Sequence, residues 1–105
     1  MHLGNYKRAL DDFTQAIHLK PDYAVAYNNR CYAYNHMEKP EIALDDCNKA
    51  ISLNANLGQA YKNRGNSQKK LGNREQAISD MKTGARLGSK EAQEFLDKEG
   101  ISWQD

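Results

Sequence analysis

Apolar residues recur along this chain at steps of three and four. Tyr6, Ala9, Leu10, Phe13, Ala16 and Ile17 fall on one helical face. The spacing predicts a first helix over about residues 6–20, stopped by Pro21. Val25, Ala26, Tyr27, Cys31, Tyr34 and Met37 predict a second over about 22–37. Pro40 suits a first helical turn, so a third helix is expected from about 40 to 54, carrying Ile42, Ala43, Leu44, Cys47, Ala50 and Ile51. A fourth covers about 57–71 and ends at Gly72-Asn73, and a fifth covers about 74–87 and ends at Gly88. Ser89 reads as an N-cap for a short sixth helix over 90–98, closed by Gly100. No alternating strand pattern competes. The connections are short, so successive helices must pack antiparallel.

The pattern repeats with a period of 34 residues. Ala9, Ala43 and Ala77 stand in register, as do Leu10, Leu44 and Ile78, and Asp12, Asp46 and Asp80. Ala26-Tyr27 recurs as Ala60-Tyr61, and Asn29-Arg30 as Asn63-Arg64. A fixed period of this size marks a solenoid, in which each unit buries its apolar face only by stacking on its neighbours. Such stacks offer surface for recognition rather than a chemical site.

The repeating residues resemble the tetratricopeptide repeat. They include Tyr27 and Tyr61 at a large aromatic position of helix A, Gly65 at a small one, and Leu71-Gly72 at its end. In helix B they are Ala9, Ala43 and Ala77, then Ala16, Ala50 and Gly84, with Pro21 closing a unit. The resemblance implies an all-α fold, a right-handed superhelix of antiparallel helix hairpins. It divides the chain into helix B of a truncated repeat (1–21), two repeats (22–55 and 56–88), and a capping helix with tail (89–105).

In that family the concave wall is lined by helix A. By alignment it comprises Val25, Asn28, Tyr32, Asn35 and His36, then Gln59, Lys62, Asn66, Lys69 and Lys70, with Gln93 and Leu96 from the cap. The resemblance implies a protein–protein interaction module that holds an extended peptide or partner helix there. The amides can bond a peptide main chain and the lysines favour an acidic or neutral ligand. One subclass clamps chaperone C-terminal carboxylates with Lys-x-x-Gly-Asn, present here as Lys62, Gly65 and Asn66. The rest of that clamp fails: Gln93 and Asp97 follow, and in the register one repeat earlier Gln59 and Asn63 replace the required Lys and Arg.

A second function competes, from a different class. Tyr6, Leu10, Phe13 and Ile17 form an apolar stripe on a helix B without its helix A partner. A partner copy could cover that stripe, making the chain a self-assembly element and a homodimer; folding back of residues 1–3 is the alternative cover. The repeat also suggests an ion-pair ladder, because Asp12, Asp46 and Asp80 each lie 18 residues before Arg30, Arg64 and Lys98.

Composition changes this picture little. Fifteen basic and fourteen acidic residues give a net charge of +1, which argues against nucleic acid or an anionic membrane as partner. No apolar run is long enough to cross a membrane, and the N-terminus lacks a signal-peptide core. Cys31 and Cys47 have no metal or CxxC spacing and read as reduced, buried thiols, which suggests a cytoplasmic protein. His2, His18 and His36 have no metal spacing. No catalytic constellation stands out, so no enzyme activity and no cofactor is expected.

Overall fold

The computed structural model describes residues 3–104. Its helices are α1 (Leu3–Leu19), α2 (Ala24–His36), α3 (Pro40–Leu53), α4 (Gly58–Lys70), α5 (Arg74–Arg86) and α6 (Lys90–Lys98). Consecutive helices pack as antiparallel pairs, and α2 also meets α4 directly. The second contact places equivalent helices of neighbouring repeats side by side and creates a continuous inner wall. α1 begins earlier than the apolar spacing predicts, because Gly4 and Asn5 are already helical. Residues 1 and 2 lie outside the described region, and with them the suggestion that 1–3 fold back.

The termini of the helices follow their capping chemistry. Pro40 opens α3 in the first turn. The Ser89 hydroxyl accepts the backbone N–H of Ala92 and caps α6. Gly72 and Gly88 follow α4 and α5 with φ of 83° and 101°, where a side chain would be strained. Glu38 stands 34 residues before Gly72 and takes the same left-handed turn with φ of 59°. A non-glycine residue there stores about 1–2 kcal/mol of backbone strain.

Small residues set how closely the helices approach. Ala26, Ala33, Ala43, Ala50, Ala60 and Ala77 are almost wholly buried. A Cβ on Gly84 would lie 3.0 Å from the carbonyl oxygen of Gly58, so α4 and α5 cross with no room between them. Gly65 lies under Met81, whose Cε would be 3.1 Å from an added Cβ. One repeat earlier the equivalent positions hold Cys31 and Cys47. There the space is closed by a disulfide, Cys31–Cys47, with Cα atoms 5.5 Å apart. This corrects the expectation of reduced thiols. Both residues are fully buried, as their apolar setting suggests, but they are bonded. The cytoplasmic reading rested on free thiols and loses that support. Among the described residues no helix is long and apolar enough to cross a membrane.

The C-terminal end is sealed by α6. Ala92 and Leu96 pack with Met81 and Ala85, and Ile101 and Trp103 fold back against the same cluster. Trp103 Nε1 donates to Asp97 at 3.2 Å, which fixes the tail. Leu96 is therefore core, not wall.

The ion-pair ladder exists with different partners. Arg30 grips Asp46 through two bonds of 2.8 Å, and Arg64 grips Asp80 at 2.8 and 3.0 Å. The partner of each arginine is on helix B of its own repeat, 16 residues on, rather than 18 back. Arg30 still reaches the preceding helix through Thr14, and Arg64 through Asn48. Asp12 is exposed, and Asp80 is occupied by Arg64 rather than by Lys98. Each guanidinium also lies over the tyrosine three residues earlier, Tyr27 or Tyr61, at 5.5 and 5.4 Å.

The stripe expected to drive self-association is not a wet apolar face. Tyr6 is buried and stacks on His36 with ring centroids 5.3 Å apart. Leu10, Phe13 and Ile17 are half-buried. The large apolar side chains that do reach solvent lie elsewhere, at Leu19, Tyr23, Val25, Tyr32, Ile42 and Leu87.

Candidate concave binding surface

The inner wall is built by α2 and α4, with the start of α6 at its far side. Its floor is a chain of amide bonds between α2 and α4. Asn63 Nδ2 donates to Asn28 Oδ1 at 2.7 Å, and Asn35 Nδ2 donates to the Asn63 carbonyl at 2.9 Å. Ser67 Oγ donates to Asn35 Oδ1 at 2.8 Å. Asn28 and Asn35 are thus sunk between the helices and spend most of their bonding on packing. One polar atom of this floor stays orphaned: Asn63 Oδ1 is buried and has no partner among the described residues.

Two depressions open above the floor. The first, of about 290 Å³, is bordered by Asn28, Tyr32, Gln59, Lys62, Asn63 and Glu91. Lys62 Nζ stands 5.4 Å above the Tyr32 ring. Burial pushes the Lys62 ammonium below its ordinary value, and Glu91 partly offsets this. The Glu91 carboxyl lies below the usual carboxylate range, first through its own backbone N–H and then through Gln59, which donates to it at 3.3 Å. The second depression, of about 260 Å³, is bordered by Asn35, His36, Asn66, Lys69 and Lys70. Lys70 pairs with Glu38 at 2.7 Å, and Lys69 Nζ stands 5.1 Å from the Phe95 ring.

The structure brings together the expected Tyr32, His36, Gln59, Lys62, Asn66, Lys69 and Lys70. Val25 is exposed on α2 but borders neither depression. Gln93 turns to the Ala85 carbonyl of α5 at 3.0 Å. Two acids were missed. Glu38 could have been found from its alignment with Gly72, which puts it in the turn after α2. Glu91 lies beside the capping Ser89, in the first turn of α6. Both oppose wall lysines that the sequence alone leaves uncompensated.

His36 gathers several of these groups. It stacks on Tyr6, and Tyr32 tilts against it at 4.3 Å. Burial holds its pKa below the ordinary 6.5, followed by Lys70 and then Lys62, while Glu38 opposes. The folded protein therefore binds fewer protons at this ring than the unfolded chain. Stability from His36 is complete above pH 6.5 and is lost as pH falls through its lower folded value. An NMR titration is expected to give a midpoint below 6.5 for His36, and His36→Gln should flatten the fall in melting temperature on that side. A midpoint above 6.5 would contradict the buried, lysine-facing setting.

Comparison with known proteins fits this geometry. A tetratricopeptide repeat model matches residues 24–57, which is α2, α3 and the turn after them. The first TPR of Spaghetti (RPAP3), solved bound to HSP90 peptide SRMEEVD, is 33% identical with a TM-score of 0.82. That match covers 90% of this chain and 77% of the other. The chain belongs to the tetratricopeptide repeat family. The second TPR domain of human RPAP3, in complex with HSP70 peptide SGPTIEEVD, is also 33% identical, at TM-score 0.81, covering 94% of this chain and 84% of that one. The Arabidopsis OM64 TPR domain is 26% identical, at TM-score 0.83, covering 90% and 80%. No curated protein matches. As a tetratricopeptide repeat, the chain forms a superhelix whose concave side is the α2–α4 wall.

Proposed function

We propose that this chain is a peptide-binding module that holds an extended acidic or neutral peptide against its concave wall. The carrying observation is the convergence of Lys62, Asn66, Lys69 and Lys70 with His36 around two open depressions on that wall. Val25, Asn28, Tyr32, Asn35 and Gln59 complete the contact surface. The peptides printed with the RPAP3 relatives end in EEVD, so they carry the charge that these lysines complement. The repeat division into 1–21, 22–55, 56–88 and 89–105 is part of the same proposal.

Calorimetry with SRMEEVD tests it. Lys62→Glu places a carboxylate beside Glu91 and is expected to weaken binding by about tenfold or more, with an unchanged helical spectrum. Binding of the parent should also weaken as salt rises. Equal affinity of parent and Lys62→Glu would remove the wall as the site.

A further inference from the structure

The depression between α2, α4 and α6 does not match a carboxylate. Its surroundings hold one cation, Lys62, and one anion, Glu91, so it has no net charge. Its buried orphan, Asn63 Oδ1, is an acceptor and asks for a donor. Asn63 is only 3% exposed and its amide nitrogen is committed to Asn28, so it cannot turn to water without breaking the α2–α4 bond. The positions where a carboxylate clamp needs Lys and Arg are Gln59 and Asn63, and Gln59 is already held by Glu91. The other depression differs. It contains His36, Asn66, Lys69 and Lys70 and no acid on its rim, with Glu38 reaching only Lys70.

We propose that the Asn63–Glu91–Lys62 depression is a subsite for a neutral carboxamide, the side chain of Gln or Asn or an amidated terminus, while the Lys69–Lys70 end takes a carboxylate. A carboxamide satisfies all three groups at once. Its N–H donors meet Asn63 Oδ1 and the Glu91 carboxylate, and its oxygen accepts from Lys62. A carboxylate brings no donor for Asn63 and confronts Glu91. An ammonium brings donors but confronts Lys62. The groove therefore selects an extended peptide of mixed acid and amide character, not a uniformly acidic one. This rests on the peptide-binding reading of the same wall.

The test uses the peptide SRMEEVD and every version in which its acids become amides. Glu is replaced by Gln, and the C-terminal Asp by Asn with an amidated terminus, singly, in pairs and all together. Affinities are measured by fluorescence anisotropy for the parent, Glu91→Gln, Lys69→Glu and Lys62→Glu. The parent is expected to bind a mixed peptide most tightly, with the fully acidic one about tenfold weaker. Glu91 is exposed, so Glu91→Gln should fold normally and bring the fully acidic peptide level with the mixed one. Lys69→Glu should weaken mixed peptides and spare the all-amide one. The inference is overturned if the fully acidic peptide binds the parent tightest, or if Glu91→Gln leaves the ranking unchanged while Lys62→Glu still weakens every peptide. If no peptide binds, or none responds to Lys62→Glu, the wall itself is not the site and the inference falls with it.

Discussion

Reduction of the Cys31–Cys47 disulfide is expected to lower the melting temperature by about 10–20 °C. The bond joins α2 to α3 across a sequence separation of 16. In the chain-entropy view, closing a loop of that size restricts the unfolded chain by about 3 kcal/mol. A domain of this length shifts by about 4–8 °C for each kcal/mol. The loss is concentrated where the repeat has no other filler. Cys31, Ala43 and Cys47 form one small core cluster with Tyr34, and no Met81 equivalent stands ready to occupy the space. Cys31 Sγ is also 3.9 Å from Ser67 Oγ, so the bond abuts the amide floor of the wall. Thermal melts with and without a phosphine reductant, with thiol content followed by mass, give the answer. The Cys31→Ala, Cys47→Ala double variant should melt low and ignore the reductant. Identical melting of the oxidised and fully reduced parent would show that the bond does not hold the hairpin together.

Arg64→Ala is expected to destabilise the fold by about 2–4 kcal/mol. The Asp80 side chain is only 9% exposed and receives both of its charge-assisted bonds from Arg64. Removing the guanidinium leaves that carboxylate desolvated and unpaired, which costs more than the pair itself contributes. Replacing both by leucine should therefore cost much less than the sum of the single changes. The equivalent experiment at Arg30 separates the two possible partners. Asp46→Ala should cost about as much as Arg30→Ala, whereas the exposed Asp12→Ala should stay within about 0.5 kcal/mol. Urea unfolding measures each. A cost at Asp12 equal to that at Asp46 would mean that the ladder runs between repeats rather than within them.

The arginine pairs show how far periodicity reaches. An arginine of helix A has one helix B sixteen residues ahead and another eighteen residues behind, and together these complete a single 34-residue period. Every copy of the repeat offers both partners at constant spacing, so the spacing cannot choose. The cysteines share this register, immediately after Arg30 and Asp46, and the choice that pairs the charges also brings the thiols together. The wall was legible as a set of positions, because helix A repeats cleanly. Its depth was not. Asn28 and Tyr32 are one helical turn apart on α2, yet the first is buried beneath α4 and the second is open.

The sequence by itself determined the helices, their order, their caps and the stacking period. Those depend on local spacing and on residues such as Pro40, Gly72, Gly88 and Ser89, whose backbone chemistry acts within a turn. Tertiary structure alone decided which acids meet Arg30 and Arg64, that Cys31 and Cys47 are joined, that Tyr6 is covered by His36, and that Asn63 keeps one acceptor unsatisfied. The reason is physical: each of these is a contact between side chains on different helices, set by how closely the backbones approach and which way each helix is turned. A repeating pattern fixes the register of such contacts, but the packing distance selects among them.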